Sequence, residues 1–271
     1  MDCKIRRTTD WVTRVTHESQ LHLDACFLTL TFSDEGLALR ELQRGTHPYD
    51  LDVKDWQLFA KRLRKNGAKF RYFQVGEYGD QELRPHYHAL IFGEGFRGDG
   101  EQWIDDKGHP VWTSDRIEKA WGYGIHTIGE ATPETIQYVC KYVQKKLYGQ
   151  ALKNLTERVD SLTGECVTVK PELASMSRGG RTGKGIGHGW WTEYRSDVFP
   201  DDFVVIKGKK VPTPRYYSQL LKLEDEPAYN AVLEERKRKA EKRAADNTPE
   251  RRKVKAQVTK GRVNMKKRGT L

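Results

Sequence analysis

Hydrophobic and polar positions alternate over residues 25–32. Cys26, Leu28, Leu30 and Phe32 fall on one face, and Phe27, Thr29 and Thr31 on the other. A period of two predicts a strand with one face on a core. Over residues 52–66 the period lengthens. Val53, Trp56, Ala60 and Leu63 recur at helical spacing, Asp52 can cap the start, and Gly67 ends the run. Residues 70–77 predict a second strand, and 82–92 hold a third after a turn region containing Gly79, Asp80 and Pro85. Residues 93–110, rich in Gly and Asp, predict a loop. A short helix over 114–121 and a short strand over 124–128 follow. Residues 133–147 carry the strongest helix pattern. Thr132 stands at the N-cap, Pro133 at the first position and Glu134 in the first turn. Lys145 and Lys146 stand in the last turn, and Gly149 lies beyond.

The order is therefore strand, helix, strand, strand, helix, strand, helix. Its first six elements follow the split β-α-β arrangement of ferredoxin-like folds. This predicts an α+β fold, RRM-like, with an antiparallel sheet and helices packed on one face. Beyond residue 150 the patterns weaken, which predicts a less regular C-terminal extension. Residues 175–189 (SMSRGGRTGKGIGHG) read as a flexible, basic, glycine-rich loop. The expected organisation is an N-terminal segment 1–24, a domain 25–150, an extension 151–223 and a charged tail 224–271. The first part of that tail is compatible with a helix, and the rest is expected to be partly disordered. No internal repeat is present.

Composition changes this picture in two ways. Of 271 residues 37% are hydrophobic, and the mean hydropathy is −0.80. The ordered core should be smaller than the length suggests, with part of the chain solvated. The net charge of +10 is also uneven. Residues 231–271 hold 15 Lys/Arg against 5 Asp/Glu, while the preceding 230 residues hold 33 of each. Such a tail can attract phosphates without sequence preference, although a solvated end with no specific role fits the same composition. No run of 18 apolar residues predicts a membrane span. Residues 1–10 lack the apolar core of a signal peptide, which predicts an intracellular protein. Cys3, Cys26, Cys140 and Cys166 form no C-x-x-C pair, so reduced thiols are expected rather than a zinc site.

Two clusters carry candidate chemistry. His86 and His88 lie on the third strand, so they share a face about 7 Å apart along it, while Tyr87 points the other way. A hairpin of nine residues could bring Glu77 beside them. Two His and one carboxylate leave positions open for water and a phosphate oxygen, as a Lewis-acid site needs. Ligation by N and O without thiolate would accept Mg²⁺ or Mn²⁺, and also Zn²⁺. An H-x-H pair alone equally describes two ordinary histidines. The second cluster lies on the 133–147 helix. Ile136, Val139, Cys140, Val143 and Leu147 form an apolar stripe for the sheet. Tyr138, Lys141, Tyr142 and Lys145 form a second stripe, about 200° around the helix. A neutral phenol with a pKa of about 10 is a poor nucleophile. A nearby Lys⁺ favours the phenolate, and a metal on the scissile phosphate lowers the demand further. Packing tyrosines beside solubilising lysines are the plainer alternative.

Three segments together resemble the HUH endonuclease superfamily, most closely the replication initiators of microviruses in the gokushovirus branch. Phe27-Leu28-Thr29-Leu30-Thr31-Phe32 resembles the family's first motif. Arg84-Pro85-His86-Tyr87-His88-Ala89-Leu90-Ile91-Phe92 resembles its metal motif. Tyr138-Val139-Cys140-Lys141-Tyr142-Val143-Gln144-Lys145-Lys146 resembles its two-tyrosine motif. The likeness covers roughly residues 25–150. It continues more weakly through Met176-Ser177-Arg178 and Gly185-Ile186-Gly187 to Pro214-Arg215-Tyr216-Tyr217. The resemblance implies the HUH endonuclease fold, a sheet carrying the metal ligands with the tyrosine helix set against it. It implies a site-specific single-stranded DNA endonuclease and ligase working in rolling-circle replication. One tyrosine would cleave the origin and keep the 5′ phosphate, leaving a 3′ hydroxyl for a host polymerase. The other would act when a unit-length strand is released and closed. These roles fall on Tyr138 and Tyr142, in either order. His86 and His88 become ligands, with Glu77 as third ligand and Glu82 as its competitor. The partners implied are single-stranded DNA at a replication origin, a host DNA polymerase and a host helicase, in the bacterial host cytoplasm.

Other readings give weaker accounts. A non-heme iron oxygenase also uses two His and a carboxylate, but on a β-barrel that this chain has too few strands to build. A single-strand-binding module would use aromatic stacking and basic loops, which leaves Glu77, His86 and His88 without a role. A plasmid relaxase or transposase of the same superfamily would share the chemistry. A Walker A loop fails at both ends around Gly183-Lys184, because Arg178 and Gly185 occupy its first and last positions. Arg178, Arg181 and Lys184 remain candidates for DNA backbone contacts, with an ordinary surface loop as the alternative.

Overall fold

The computed structural model describes residues 2–79, 84–142, 157–159, 164, 166–178 and 184–268. The chain divides into two compact units, Trp11–Glu193 and Met1–Asp10 with Tyr194–Leu271.

The first unit is built on a seven-stranded antiparallel sheet. Its strands are β1 (Ala25–Thr31), β2 (Arg71–Tyr78), β3 (Pro85–Phe92), β4 (Gln102–Ile104), β5 (Pro110–Trp112), β6 (His126–Glu130) and β9 (Leu173–Met176), in the order β4-β5-β6-β1-β3-β2-β9. A small separate hairpin pairs β7 (Glu157–Val159) with β8 (Cys166–Thr168). Helix α2 (Asp34–Arg44) and helix α3 (Val53–Lys65) connect β1 to β2, and α4 (Asp115–Trp121) precedes β6. The central strands β6-β1-β3-β2 with α3 and α4 reproduce the split β-α-β order read from the sequence.

Alternation decides which face each residue takes. Cys26, Leu28, Leu30 and Phe32 pack with Tyr87, Ala89 and Ile91 under α2, α3 and α4. The other face presents Phe73, Val75, Leu90 and Phe92. These residues are covered by Val15 of α1 (Asp2–Gln20) and by Ile136, Val139 and Cys140 of α5 (Pro133–Tyr142). Helices thus lie over both faces, and the face under α5 also carries His86 and His88.

A buried polar knot fixes β3 against α3. Arg40 is fully buried; it donates to Asp55 Oδ2 at 3.0 Å and to the carbonyls of His47, Pro48 and Asp50 at 2.7–2.9 Å. Arg44 Nη1 lies 2.7 Å from Asp55 Oδ1. The Tyr87 hydroxyl donates to Asp55 Oδ2 at 2.8 Å and accepts the Asp52 N–H at 3.1 Å. Gly76, opposite Tyr87, leaves room for that ring: a Cβ there would stand 3.1 Å from Tyr87 Cε1 and 2.9 Å from Leu51 Cδ2.

Several elements differ from the sequence expectation. Residues 93–110 contain β4 and reach the start of β5, so the expected loop holds a hairpin. The N-terminal segment is largely α1. The basic glycine-rich stretch begins inside β9, where the Gln74 amide donates to Ser175 Oγ at 2.7 Å. Residues 143–147 of the expected tyrosine helix lie outside the described residues.

The second unit contains α6 (His188–Tyr194) only at its last residue. It holds the hairpin of β10 (Phe203–Ile206) and β11 (Lys209–Pro212), then α7 (Arg215–Glu224), α8 (Glu226–Lys242) and α9 (Pro249–Arg268). Arg236 of α8 forms a bidentate pair with Asp202 at 2.6 and 2.7 Å, and Val232 is buried beside it in sequence. The charged tail is thus helical over most of its length. Among the described residues no helix is long and apolar enough to cross a membrane.

Candidate active site

Strand pairing assembles the first cluster. β3 lies between β1 and β2, with Glu77 opposite His86, and with Val75 and Thr29 opposite His88. All five side chains share one face. His88 Nε2 lies 2.7 Å from Glu77 Oε1, and its Nδ1 lies 3.0 Å from Thr29 Oγ1. The imidazole stacks on Phe27 at 5.6 Å between centroids. His86 Nδ1 donates to the Arg84 carbonyl at 2.6 Å. Burial lowers the His86 pKa below its ordinary value, against an opposing hydrogen bond to Arg84. The ring is therefore neutral at neutral pH.

Helix α5 supplies the second cluster. Thr132 and Thr135 cap each other: the Thr135 N–H donates to Thr132 Oγ1 at 3.2 Å, and the Thr132 N–H to Thr135 Oγ1 at 2.8 Å. Ile136, Val139 and Cys140 seat the helix on the sheet, which turns Tyr138 and Tyr142 to the histidines. The Tyr138 hydroxyl donates to Glu77 Oε1 at 3.3 Å, and the Tyr142 hydroxyl to the Tyr138 oxygen at 2.7 Å. A continuous chain thus runs Tyr142–Tyr138–Glu77–His88. Tyr138 meets the His88 ring edge-on at 5.4 Å, and Tyr142 stacks on it at 6.2 Å. Burial first, then the hydrogen bonds with Tyr138 and Glu77, raise the Tyr142 pKa well above its ordinary value.

Among the described residues, no group of three or more His, Cys, Asp or Glu is arranged to hold a metal ion. The donor chemistry nevertheless suits one after small side-chain turns. A carbonyl can only accept, so His86 carries its proton on Nδ1 and keeps the Nε2 lone pair. The Thr29 hydroxyl can donate or accept, so it can hold His88 in the same tautomer. Such second partners orient metal-bound imidazoles. Two donors at right angles, each about 2.1 Å from an ion, stand about 3.0 Å apart. The 2.7 Å between His88 Nε2 and Glu77 Oε1 is close to that separation.

The site lies inside the segment that a family model recognises. The model for the replication-associated protein ORF2 family matches residues 25–147. The replication-associated protein ORF2 of Spiroplasma virus 4 is 31% identical over 253 residues, covering 89% of this chain and 72% of that protein. The chain belongs to this replication-associated protein family. A second family member, the replication-associated protein VP4 of Bdellovibrio phage phiMH2K, is 30% identical over 233 residues, covering 81% of this chain and 65% of that protein. A third, the replication-associated protein ORF4 of Chlamydia phage 1, is 25% identical over 232 residues, covering 82% and 52%. The chain is thus shorter than all three relatives, and spans about half to three quarters of their lengths. No solved structure matches it.

Of the residues singled out from sequence, Glu77, His88, Tyr138 and Tyr142 of this family member converge in one hydrogen-bonded chain. His86 stands on the same face next to them. Lys141 is exposed on α5. Lys145, Arg181 and Glu82 lie outside the described residues. Arg178 and Lys184 are exposed, and the Lys184 carbonyl accepts from Arg71 Nη2 at 3.1 Å. Sequence reasoning gives no role to Thr29 or to the Arg84 carbonyl. Thr29 does carry a signal, as a polar residue midway along the strand on the face away from the main core.

Proposed function

We propose that this chain is the replication initiator of a small single-stranded DNA phage, and that it nicks and rejoins single-stranded DNA through a tyrosine nucleophile. The observation that carries the reading is the hydrogen-bonded chain from Tyr142 through Tyr138 and Glu77 to His88. It places two phenol oxygens beside the only H-x-H pair of the sequence. Membership of a replication-associated family supports the biological role.

His86 and His88 through Nε2, and Glu77 through its carboxylate, would hold Mg²⁺ or Mn²⁺. Bound there, the ion would polarise the scissile phosphate and stabilise its developing charge. The chain's own residues do the rest. One tyrosine oxygen bonds to phosphorus as the bond to the 3′ oxygen breaks. The 5′ phosphate stays on the tyrosine, and the 3′ hydroxyl leaves with a proton. The phenol proton faces Glu77 Oε1 directly from Tyr138, or through Tyr138 from Tyr142. Because both phenols are held neutral by these hydrogen bonds, the proton leaves as attack proceeds. Lys141, exposed on the same helix, would meet a DNA phosphate, and Lys145 is given the same task by sequence. The freed 3′ hydroxyl is a primer that a host polymerase could extend, with a host helicase opening the duplex.

The test is incubation of the full chain with labelled single-stranded oligonucleotides from a genome containing its origin, with Mn²⁺ and with EDTA. A covalent adduct should map to Tyr138 or Tyr142, disappear with EDTA, and be absent from His86→Ala/His88→Ala, which should still bind DNA. Binding with no adduct on any origin-containing oligonucleotide would reduce the protein to a single-strand-binding module.

A further inference from the structure

At the far end of β2 and β3 from the tyrosines, an open cavity of about 430 Å³ is lined by His22, Arg64, Phe70, Arg71 and Phe92, with Ala68 and Lys69 at its margin. Phe92 is four residues along β3 from His88, about 13 Å, and the intervening Leu90 is buried under α1 and α5. The cavity is therefore separate from the tyrosine and histidine cluster.

Its wall is cationic. Among the described residues, neither the Arg64 guanidinium nor the Lys69 ammonium has a carboxylate in ion-pair range. Arg64 lies over the Phe70 ring at 4.6 Å and donates from Nη2 to the Phe70 carbonyl at 3.2 Å, which leaves its other N–H groups for a ligand. Arg71 is held in place rather than neutralised completely: Nε pairs with Glu18, and Nη2 donates to the carbonyls of Lys184 and Gly185 at 3.1 and 3.0 Å. Among the described residues its Nη1 is not engaged. Two carboxylates stand nearby, and both have other partners. Glu18 is buried and also accepts the Gly187 N–H at 2.6 Å, with His22 Nε2 at 3.5 Å. Glu94 pairs with Arg116 at 2.7 Å and accepts the Lys69 backbone N–H at 3.3 Å. Two unpaired cations, a half-engaged guanidinium and an imidazole around an apolar floor suit a phosphate group, because guanidinium forks match phosphate oxygens.

We propose that this cavity is a second phosphate-binding site, taking a phosphate of a nucleotide chain or of a free nucleotide. It stands or falls independently of the nicking chemistry, since no tyrosine or histidine of that cluster lines it.

The experiment measures binding of the full chain to oligothymidylate across a range of salt, and to thymidine monophosphate, for the wild type, Lys69→Gln and Arg64→Gln/Lys69→Gln. Lys54→Gln is the control, ten residues from Arg64 on α3 and about 15 Å away. If the DNA backbone is the ligand, the double variant binds oligothymidylate more weakly. Its plot of log K against log salt flattens by about 0.7 for one lost phosphate, while the Lys54 control is unchanged. If a free nucleotide is the ligand, the monophosphate binds the wild type and the double variant loses it. Lys69→Gln, whose side chain touches no other group among the described residues, shows the same direction without a folding cost. The proposal is overturned if neither ligand distinguishes the variants from wild type, or if Lys54→Gln has an equal effect, which would make the attraction one of diffuse charge.

Discussion

Tyr138 and Tyr142 share a hydrogen bond of 2.7 Å, and this has consequences for when either can ionise. Ionising one phenol strengthens the bond it accepts from the other and holds that second proton in place, so the pair gives up its protons in well-separated steps. Tyr142 already sits above the ordinary range through burial and its bonds to Tyr138 and Glu77. Its folded pKa exceeds its unfolded value of about 10, so the contribution to stability is complete below that pH and is lost as pH rises above it. A spectroscopic titration should show the expected order. Tyr142→Phe should leave the tyrosinate absorbance that develops near pH 10 unchanged. A loss of one tyrosine's absorbance there would mean that Tyr142 ionises normally. The same residues show what can be read from sequence at this scale. His86, His88, Tyr138 and Tyr142 declare themselves by spacing, because strand and helix periods put each pair on one face. By sequence, the lysine stripe is the group that tunes the phenols. The structure shows burial and Glu77 acting on Tyr142, and both act upward.

Elements are legible where apolar residues fall on one stripe. The strand β1, helix α3 and the start of α5 all do so. Helix α2 does not: its buried face holds Gly36, Leu37 and Arg40, while Leu39 and Leu42 are exposed. Helix α1 buries Thr13, Arg14, His17 and Glu18 alongside Val15. A hydrophobic period cannot reveal a face whose buried groups are charged and satisfied by distant partners. The β4–β5 hairpin escapes for another reason, since three-residue strands in a Gly- and Asp-rich stretch show no run to alternate. The Arg40–Asp55–Tyr87 knot yields a prediction at this scale. Asp55→Ala would leave Arg40 buried without its carboxylate and the Tyr87 hydroxyl without one acceptor. Breaking a buried pair from one side costs about 3–5 kcal/mol. Denaturant unfolding should show a loss of that size, and a loss under about 1 kcal/mol would mean that the backbone carbonyls alone satisfy Arg40.

For the whole molecule, the helical course of the charged tail shows where to cut it. Ending the chain at residue 230 would interrupt α8 and remove Arg236 from Asp202. Ending it at residue 248 removes only α9 and residues 269–271. Residues 249–271 hold nine Lys/Arg and one Asp/Glu. That shorter chain should keep its thermal unfolding midpoint, bind single-stranded DNA more weakly and show a flatter salt dependence. An unchanged salt slope would remove the tail from DNA binding. The sheet order carries a last consequence, for the lifetime of the site. His86 and His88 ride on β3, which is hydrogen-bonded on both sides, whereas β4 closes one edge of the sheet with three exposed residues. Amide protons of β4 should exchange with solvent by local fraying. Those of β3 should exchange only when the sheet opens as a whole. The histidines would then outlast every peripheral opening of this unit, so that DNA could pry at its margins without loosening the centre that holds them.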